Sequence, residues 1–147
     1  MREVTILHVG QIKDRFFADA LAEYEKRLSA YCRLTNIEIR EEKSSPVPSD
    51  AEIEKILRCE GGRILEKLPS RALKIALCVE GKELSSEDFS HLLAEAELSG
   101  YSGTAFVIGG SWGLDEKVKQ ACNMRLSFSR MTFPHRLMRV LLEEQLY

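Results

Sequence analysis

The chain has 147 residues, of which 44% are hydrophobic and 30% charged, as expected for one compact domain. Its 21 basic and 23 acidic residues give a formal net charge of -2, so no overall positive field draws it to nucleic acid. Any nucleic-acid contact must therefore be local, and a basic block without an acid extends over residues 125–139.

Cellular location and metal content can also be predicted from the sequence. The N-terminus is too short and too polar for a signal peptide, and no apolar run of 18 residues occurs, so we expect a cytoplasmic protein without membrane contact. The four cysteines form no C-x-x-C pair and lie mostly in apolar runs, which predicts reduced, buried thiols. The three histidines are equally scattered, and we predict no metal site.

The first third of the chain predicts a strand, a helix and a second strand. Residues 3–9 are rich in β-formers, and residues 15–31 carry apolar side chains at helical spacing. Residues 34–40 alternate in polarity, which is typical of a strand. The polar segment 41–49 contains two prolines and predicts a surface loop.

The middle of the chain predicts a helix, a buried strand and another helix. Asp50 can cap the first helix, which Pro69 stops and which the Gly61-Gly62 pair can bend. Residues 72–79 are nearly all apolar, as in a strand buried on both faces. Ser85 begins a capping box for a helix that ends near Gly100.

The last third repeats this alternation. Residues 104–108 and 125–128 predict strands, separated by a short helix from about Asp115, and an amphipathic helix follows Pro134. We therefore predict an α/β fold in which residues 1–147 form a single domain, with a mostly parallel sheet and helices on both faces. Ligands bind such sheets at the carboxyl ends of the strands, here the loops after Val79, Ile108 and Phe128.

These loops lack the common nucleotide motifs. Neither G-x-G-x-x-G nor G-x-x-x-x-G-K-[ST] occurs, which excludes the usual phosphate cradles. Residues 109–113 match G-x-S-x-G, so a serine hydrolase with Ser111 as its nucleophile is an alternative function. Against it, Asp115 is only one helical turn from Ser111, and the following helix starts too late for a nucleophile elbow.

The three loops and their surroundings resemble one family. The segments that carry the resemblance are Phe106-Val107-Ile108-Gly109-Gly110, Gly113-Leu114, Leu126-Ser127-Phe128-Ser129-Arg130-Met131-Thr132-Phe133-Pro134-His135 and Glu144-Gln145-Leu146-Tyr147. With Tyr24-Glu25-Lys26-Arg27-Leu28 and Gly81-Lys82, they resemble the SPOUT-class ribosomal RNA large subunit methyltransferase H family over essentially the whole chain.

The resemblance implies a C-terminal trefoil knot, an S-adenosylmethionine cofactor bent among the knot loops, and N3-methylation of a pseudouridine in large-subunit ribosomal RNA. Carried over by position, the cofactor contacts fall on Leu77, Gly109, Phe128, Ser129, Arg130, Met131, Thr132 and Phe133. The imide proton on N3 must leave, and His135 is the nearby candidate base, with a structural or helix-capping role as its alternative.

The family acts as homodimers on assembled ribosomes, which the resemblance implies here too. The last helix supports a dimer, because Leu137, Met138, Leu141 and Leu142 form an apolar face. The candidate RNA contacts are Arg125, Arg130, Arg136 and Arg139, although Arg139 could instead form a structural ion pair. A noncatalytic ribosome-binding module is a further alternative function.

The sequence departs from the family pattern at two places. Family members usually carry an acid where this chain has Cys78, which puts the role of that acid in doubt. They also continue beyond the position of Tyr147 with a basic tail, so we expect that the tail of the family is missing from this chain.

Overall fold

The computed structural model describes residues 2–147, in which five strands and five helices alternate. The strands are β1 (Arg2–Val9), β2 (Cys32–Ile39), β3 (Leu73–Glu83), β4 (Thr104–Ile108) and β5 (Met124–Ser127). The helices are α1 (Arg15–Leu28), α2 (Asp50–Lys67), α3 (Ser86–Leu98), α4 (Glu116–Ala121) and α5 (His135–Leu146). The predicted order of elements is confirmed.

The five strands form one sheet in the order β2-β1-β4-β3-β5, and all neighbouring strands are parallel. The central strand β4 is buried along its whole length, which explains why its sequence is almost continuously apolar. Because the strands are parallel, the carboxyl ends of β3, β4 and β5 meet at one edge of the sheet. This arrangement brings the three predicted ligand loops together.

Helices cover both faces of the sheet, as the alternation predicts. On one face, Leu28 of α1, Phe89 of α3 and Leu142 of α5 pack in the same core as Phe106 of β4. On the other face, α2 and α4 share a second core around Val107. Strand order and pairing do not describe how the chain threads, so the trefoil knot stays a prediction.

The start of α2 differs from its prediction. The N-cap is Ser49 and not Asp50, since the Ser49 hydroxyl accepts a hydrogen bond from the Glu52 amide at 3.2 Å. Asp50 is the first helical residue, where its charge complements the helix dipole. The helix continues through Gly61, where a Cβ would lie 3.0 Å from Asp115 Cβ, so this glycine allows close packing against α4.

Strand β3 extends four residues beyond the predicted end at Val79. Leu77 and Lys82 both pair with Leu126 of β5, so the residues between them bulge out of the ladder. Gly81 permits this second pairing, because a Cβ there would lie 2.6 Å from the Leu126 carbonyl carbon. The bulge places residues 78–80 beside the ligand loops.

The structure also describes the state of the cysteines and bears on metal-ligand groups and membrane-spanning helices. All four cysteines are free, but only Cys32 is buried, and the other three are half-buried. Within residues 2–147, no group of three His, Cys, Asp or Glu side chains is placed to hold a metal ion. No helix in this range is both long and apolar enough to span a membrane.

Candidate active site

A cavity of about 780 Å³ opens at the carboxyl ends of β3, β4 and β5. Its walls come from the three loops that the sequence singles out, together with the start of α5. Small-molecule sites in proteins enclose roughly 300–1,000 Å³, so the cavity has the size of a site for a nucleoside-sized ligand. Most of the predicted cofactor contacts lie here, namely Leu77, Gly109, Phe128, Ser129, Met131, Thr132 and Phe133.

Arg130 is the exception among these residues. It does not belong to the cavity lining, and its side chain is 92% exposed, with Nε 3.7 Å from the Glu83 carboxylate. The guanidinium group is therefore placed for contacts outside the cavity. Any contact of Arg130 with a ligand in the cavity would have to involve its backbone.

The glycine turn forms one side of the cavity through its backbone. A Cβ on Gly109 would lie 2.6 Å from the Gly113 carbonyl carbon, so only glycine allows this approach. Gly113 has a φ of 89°, a left-handed conformation that favours glycine, and its amide donates to the Gly110 carbonyl at 3.2 Å. Ser111 lies at the tip of the turn, five residues before α4 begins at Glu116, so it lacks the helix start of a nucleophile elbow.

The loop after β5 is held by its own serines. The Ser127 hydroxyl donates to the Ser129 carbonyl at 2.8 Å, and the Ser129 hydroxyl accepts from the Met131 amide at 3.0 Å. These local bonds stabilise a turn that presents Phe128 and Phe133 to the cavity. The two hydroxyls that the sequence places in this loop thus shape the wall.

His135 is the first residue of α5 and lines the cavity. The N-cap is Pro134, so His135 does not cap the helix. Burial lowers the pKa of His135 below its usual 6.5, and the nearby Arg136 cation adds to this effect. The imidazole is therefore neutral at neutral pH and is able to accept a proton.

The family of proteins described as predicted SPOUT methyltransferases matches residues 2–147 of the chain. The chain belongs to the SPOUT methyltransferase family. Proteins from Streptococcus equi subsp. zooepidemicus and Carboxydothermus hydrogenoformans are each 48% identical to it over 145 residues, which is 99% of this chain and 91% of each relative. A protein from Oenococcus oeni is 45% identical over 147 residues, or 100% of this chain and 92% of its own length. All three relatives are named ribosomal RNA large subunit methyltransferase H.

Within this SPOUT methyltransferase, the cavity wall carries an ion pair that sequence reasoning missed. Lys119 of α4 donates to the Glu80 carboxylate of β3, and both residues line the cavity. This contact lowers the pKa of Glu80, so the carboxylate is ionised at neutral pH. Cys78 lies two residues before Glu80, and burial raises the pKa of its thiol. The two ion-pair partners are 39 residues apart, and no sequence pattern links them.

The four candidate RNA-binding arginines fall into different environments. Arg125 pairs with Glu116 at 2.6 Å, and Arg136 pairs with Asp14 at 3.1 Å, while both guanidinium groups stay partly exposed. Arg139 is buried, with Nε 3.4 Å from Glu143 and a second acid, Glu25, at 3.9 Å. The structure therefore favours the structural ion pair for Arg139.

Helix α5 exposes less apolar surface than its sequence predicts. Leu142 is fully buried against the sheet, and Leu137, Met138 and Leu141 are half-buried, because α5 packs on the sheet and beside α1. The large side chains that remain exposed near this helix include Met131 and the aromatic residues Phe16, Tyr31 and Tyr147. Tyr31 and Tyr147 stack edge to face at 5.9 Å.

Proposed function

We propose that the protein uses S-adenosylmethionine to methylate N3 of a pseudouridine in large-subunit ribosomal RNA, on the assembled ribosome in the cytoplasm. The observation that carries this proposal is the cavity, since the segments on which the family resemblance depends form its walls. The names of the relatives support the same substrate class.

The lining of the cavity fits the cofactor. Leu77, Ile108 and Phe128 offer apolar surface for an adenine ring, and the backbone of the glycine turn offers polar groups for a ribose. When bound, S-adenosylmethionine supplies an electrophilic methyl group on a sulfonium. The seven predicted contacts that line the cavity, from Leu77 to Phe133, would hold it.

The chain must orient the reacting atoms and provide for a proton. Methyl transfer is an in-line displacement, which needs alignment and no protein nucleophile. Pseudouridine N3 carries a proton, and His135 lines the cavity as a neutral base that would accept it. The short hydrogen bonds of the loop after β5 would keep the cavity preorganised for this geometry.

RNA binding would depend on local charge, since the net charge of the chain is -2. Arg130 is nearly fully exposed beside the cavity, and Arg125 and Arg136 keep part of their guanidinium surface accessible. Such arginines would contact phosphates and fix the orientation of the enzyme on the ribosome. Arg139 has no part in this proposal, because it is buried.

The enzyme would work as a homodimer. Tyr31 and Tyr147 contact each other and are well exposed at the end of α5, most of whose apolar side chains are half-buried. Exposed aromatic residues of this kind favour association with a partner surface. Sedimentation equilibrium should give twice the monomer mass, and a purely monomeric protein would contradict this part of the proposal.

Two measurements test the proposed function. Calorimetry should show that S-adenosylmethionine binds with a stoichiometry of about one per chain. Ribosomes lacking the modification should then accept labelled methyl groups in the presence of the protein. Binding to ribosomes without any affinity for S-adenosylmethionine would favour the noncatalytic module, and labelling of Ser111 by a fluorophosphonate would favour the hydrolase.

A further inference from the structure

Within the part of the chain that the structure describes, the cavity wall carries one pair of opposite charges, Glu80 and Lys119. We propose that this pair binds the charged amino-acid portion of S-adenosylmethionine, with Glu80 receiving the α-ammonium group and Lys119 the α-carboxylate group. The inference rests on the proposed function, because it assigns residues to a cofactor that the proposed reaction requires.

The two side chains are placed differently at the wall. The Lys119 side chain is 15% exposed, so its ammonium group is held in position beside Glu80, whereas the Glu80 side chain is 50% exposed. Lys119 contacts only one carboxylate oxygen of Glu80, Oε1. The Glu80 carboxylate also contacts the Cys78 thiol and its own backbone amide, but half of the side chain stays exposed and can meet a ligand. Lys119 has further N–H groups besides the one that it donates to Glu80.

Other parts of the cavity are poorly suited to a charged ligand group. The walls from Leu77, Ile108, Phe128 and Met138 are apolar, and the glycine turn is lined by neutral backbone. His135 is neutral at neutral pH because burial lowers its pKa. A buried charge without a partner is costly, so the Glu80 and Lys119 pair is the place in this wall where the ionic end of the ligand would find opposite charges.

The chemistry of the ligand matches this pair. An α-amino acid carries a positive and a negative group on one carbon, so it needs an acceptor and a donor that are adjacent. Glu80 and Lys119 are in direct contact, and a bound zwitterion would give each of the four charges an opposite neighbour. A half-exposed ion pair contributes little to the free energy of folding. Fold stability therefore does not account for the Glu80 and Lys119 pair, whereas ligand binding gives it a role.

The test compares two ligands by calorimetry. S-adenosylmethionine contains the amino-acid portion, and 5′-methylthioadenosine keeps the adenosine and the sulfur but lacks that portion. Hydrogen bonds to charged groups contribute enough that Glu80→Gln and Lys119→Gln should each weaken S-adenosylmethionine binding by about ten- to a hundredfold. The affinity for 5′-methylthioadenosine should stay within about twofold of the wild-type value, since this ligand does not reach the pair.

A matched control removes an ion pair at the opposite end of the sheet. Glu97 of α3 pairs with Arg2, the first residue of β1, at 2.6 Å, and neither residue lines the cavity. Glu97→Gln should therefore leave the affinity for both ligands unchanged. Thermal unfolding of all variants establishes that each is folded under the conditions of the titration.

The outcomes separate this inference from the proposed function. If wild-type protein binds S-adenosylmethionine and the Glu80 and Lys119 variants bind it equally well, the inference is overturned while the proposed function stands. An equal loss for both ligands would also overturn it, because the pair would then act only on the shape of the cavity. If the wild-type protein does not bind S-adenosylmethionine, the proposed function and the inference both fail.

Discussion

The Glu143 carboxylate lies 3.4 Å from Nε of Arg139, and both side chains are buried where α5 faces α1. Burial and the nearby Glu25 carboxylate raise the pKa of Glu143 to about 8. The Arg139 cation lowers this pKa, but by less than Glu25 raises it. Glu143 is therefore mostly protonated at neutral pH. Helix α5 also carries His135, so this acid lies in the element that completes the candidate active site.

The protonation of Glu143 predicts how stability depends on pH. Its pKa is higher in the folded protein, about 8, than the usual value of 4.5, so the folded state holds the additional proton between these values. The free energy of unfolding should therefore decrease as pH rises through this window. Glu143→Gln imitates the neutral acid and should flatten the decrease, as measured by thermal unfolding from pH 5 to 9. Glu144→Gln is the control at an exposed acid, and a Glu143→Gln curve as steep as the wild-type curve would contradict the assignment.

The sequence predicted the elements and the three ligand loops because both follow from local patterns. Apolar periodicity defines each strand and helix, and parallel strands place their carboxyl ends at one edge of the sheet. Ser49 rather than Asp50 is the cap of α2 because adjacent polar residues compete for that position, and only the backbone geometry decides between them.

Contacts between residues that are far apart in the chain cannot be predicted from its local sequence patterns. The pairing of Lys119 with Glu80 depends on the bulge of β3, which no local pattern signals. The sequence also leaves the role of Arg139 open, since one of its two acidic neighbours, Glu25, lies on α1. Such pairs are determined by the way in which elements pack, and the first of them supplies the charges of the cavity wall.

The adjacent glycines of α2 should respond in opposite directions to the same substitution. A Cβ on Gly62 meets nothing within 4 Å, so Gly62→Ala should stabilise the protein by about 0.5–1 kcal/mol through helix propensity. A Cβ on Gly61 would lie 3.0 Å from Asp115 Cβ and 3.3 Å from Val118 Cγ2, so Gly61→Ala should destabilise it. Urea unfolding measures both changes, and an equal gain at both positions would show that α4 does not pack closely on Gly61.

The glycine turn should be required for cofactor binding. A Cβ on Gly109 would meet backbone atoms of Gly113, which cannot move aside as a flexible side chain can. Gly109→Ala should therefore open the turn and abolish S-adenosylmethionine binding in calorimetry. Gly62→Ala, the same change at a glycine that does not line the cavity, should bind normally, and an unchanged affinity for Gly109→Ala would refute the assignment of the cavity.

The exposed and buried arginines should behave differently. Arg130→Ala should weaken ribosome binding, because one phosphate contact is lost. A plot of the logarithm of the binding constant against the logarithm of the salt concentration should become shallower by about one unit. The substitution should leave the free energy of unfolding nearly unchanged. Arg139→Met should instead lower that free energy, because it removes the buried cation that lies 3.9 Å from the Glu25 carboxylate. Equal salt slopes for Arg130→Ala and the wild type would exclude Arg130 as a phosphate contact.

His135 should affect turnover and not cofactor affinity. Removing a general base typically lowers a rate by about 10²–10⁴-fold, so His135→Asn should reduce methyl transfer to ribosomes by that order. Its affinity for S-adenosylmethionine should stay close to the wild-type value, since the rest of the cavity wall is unaltered.

The dependence on pH distinguishes a base from a residue that only shapes the wall. The pKa of His135 is lowered below 6.5, so the wild-type rate should decrease at acidic pH with a midpoint below 6.5, as the imidazole takes up a proton. The residual rate of His135→Asn should lack this decrease, because asparagine does not titrate. Rates of methyl transfer measured from pH 5.5 to 8.5 under saturating S-adenosylmethionine provide the comparison. If the variant loses activity but keeps the same decrease at low pH, another group accepts the proton, and His135 acts only by positioning the loop before α5.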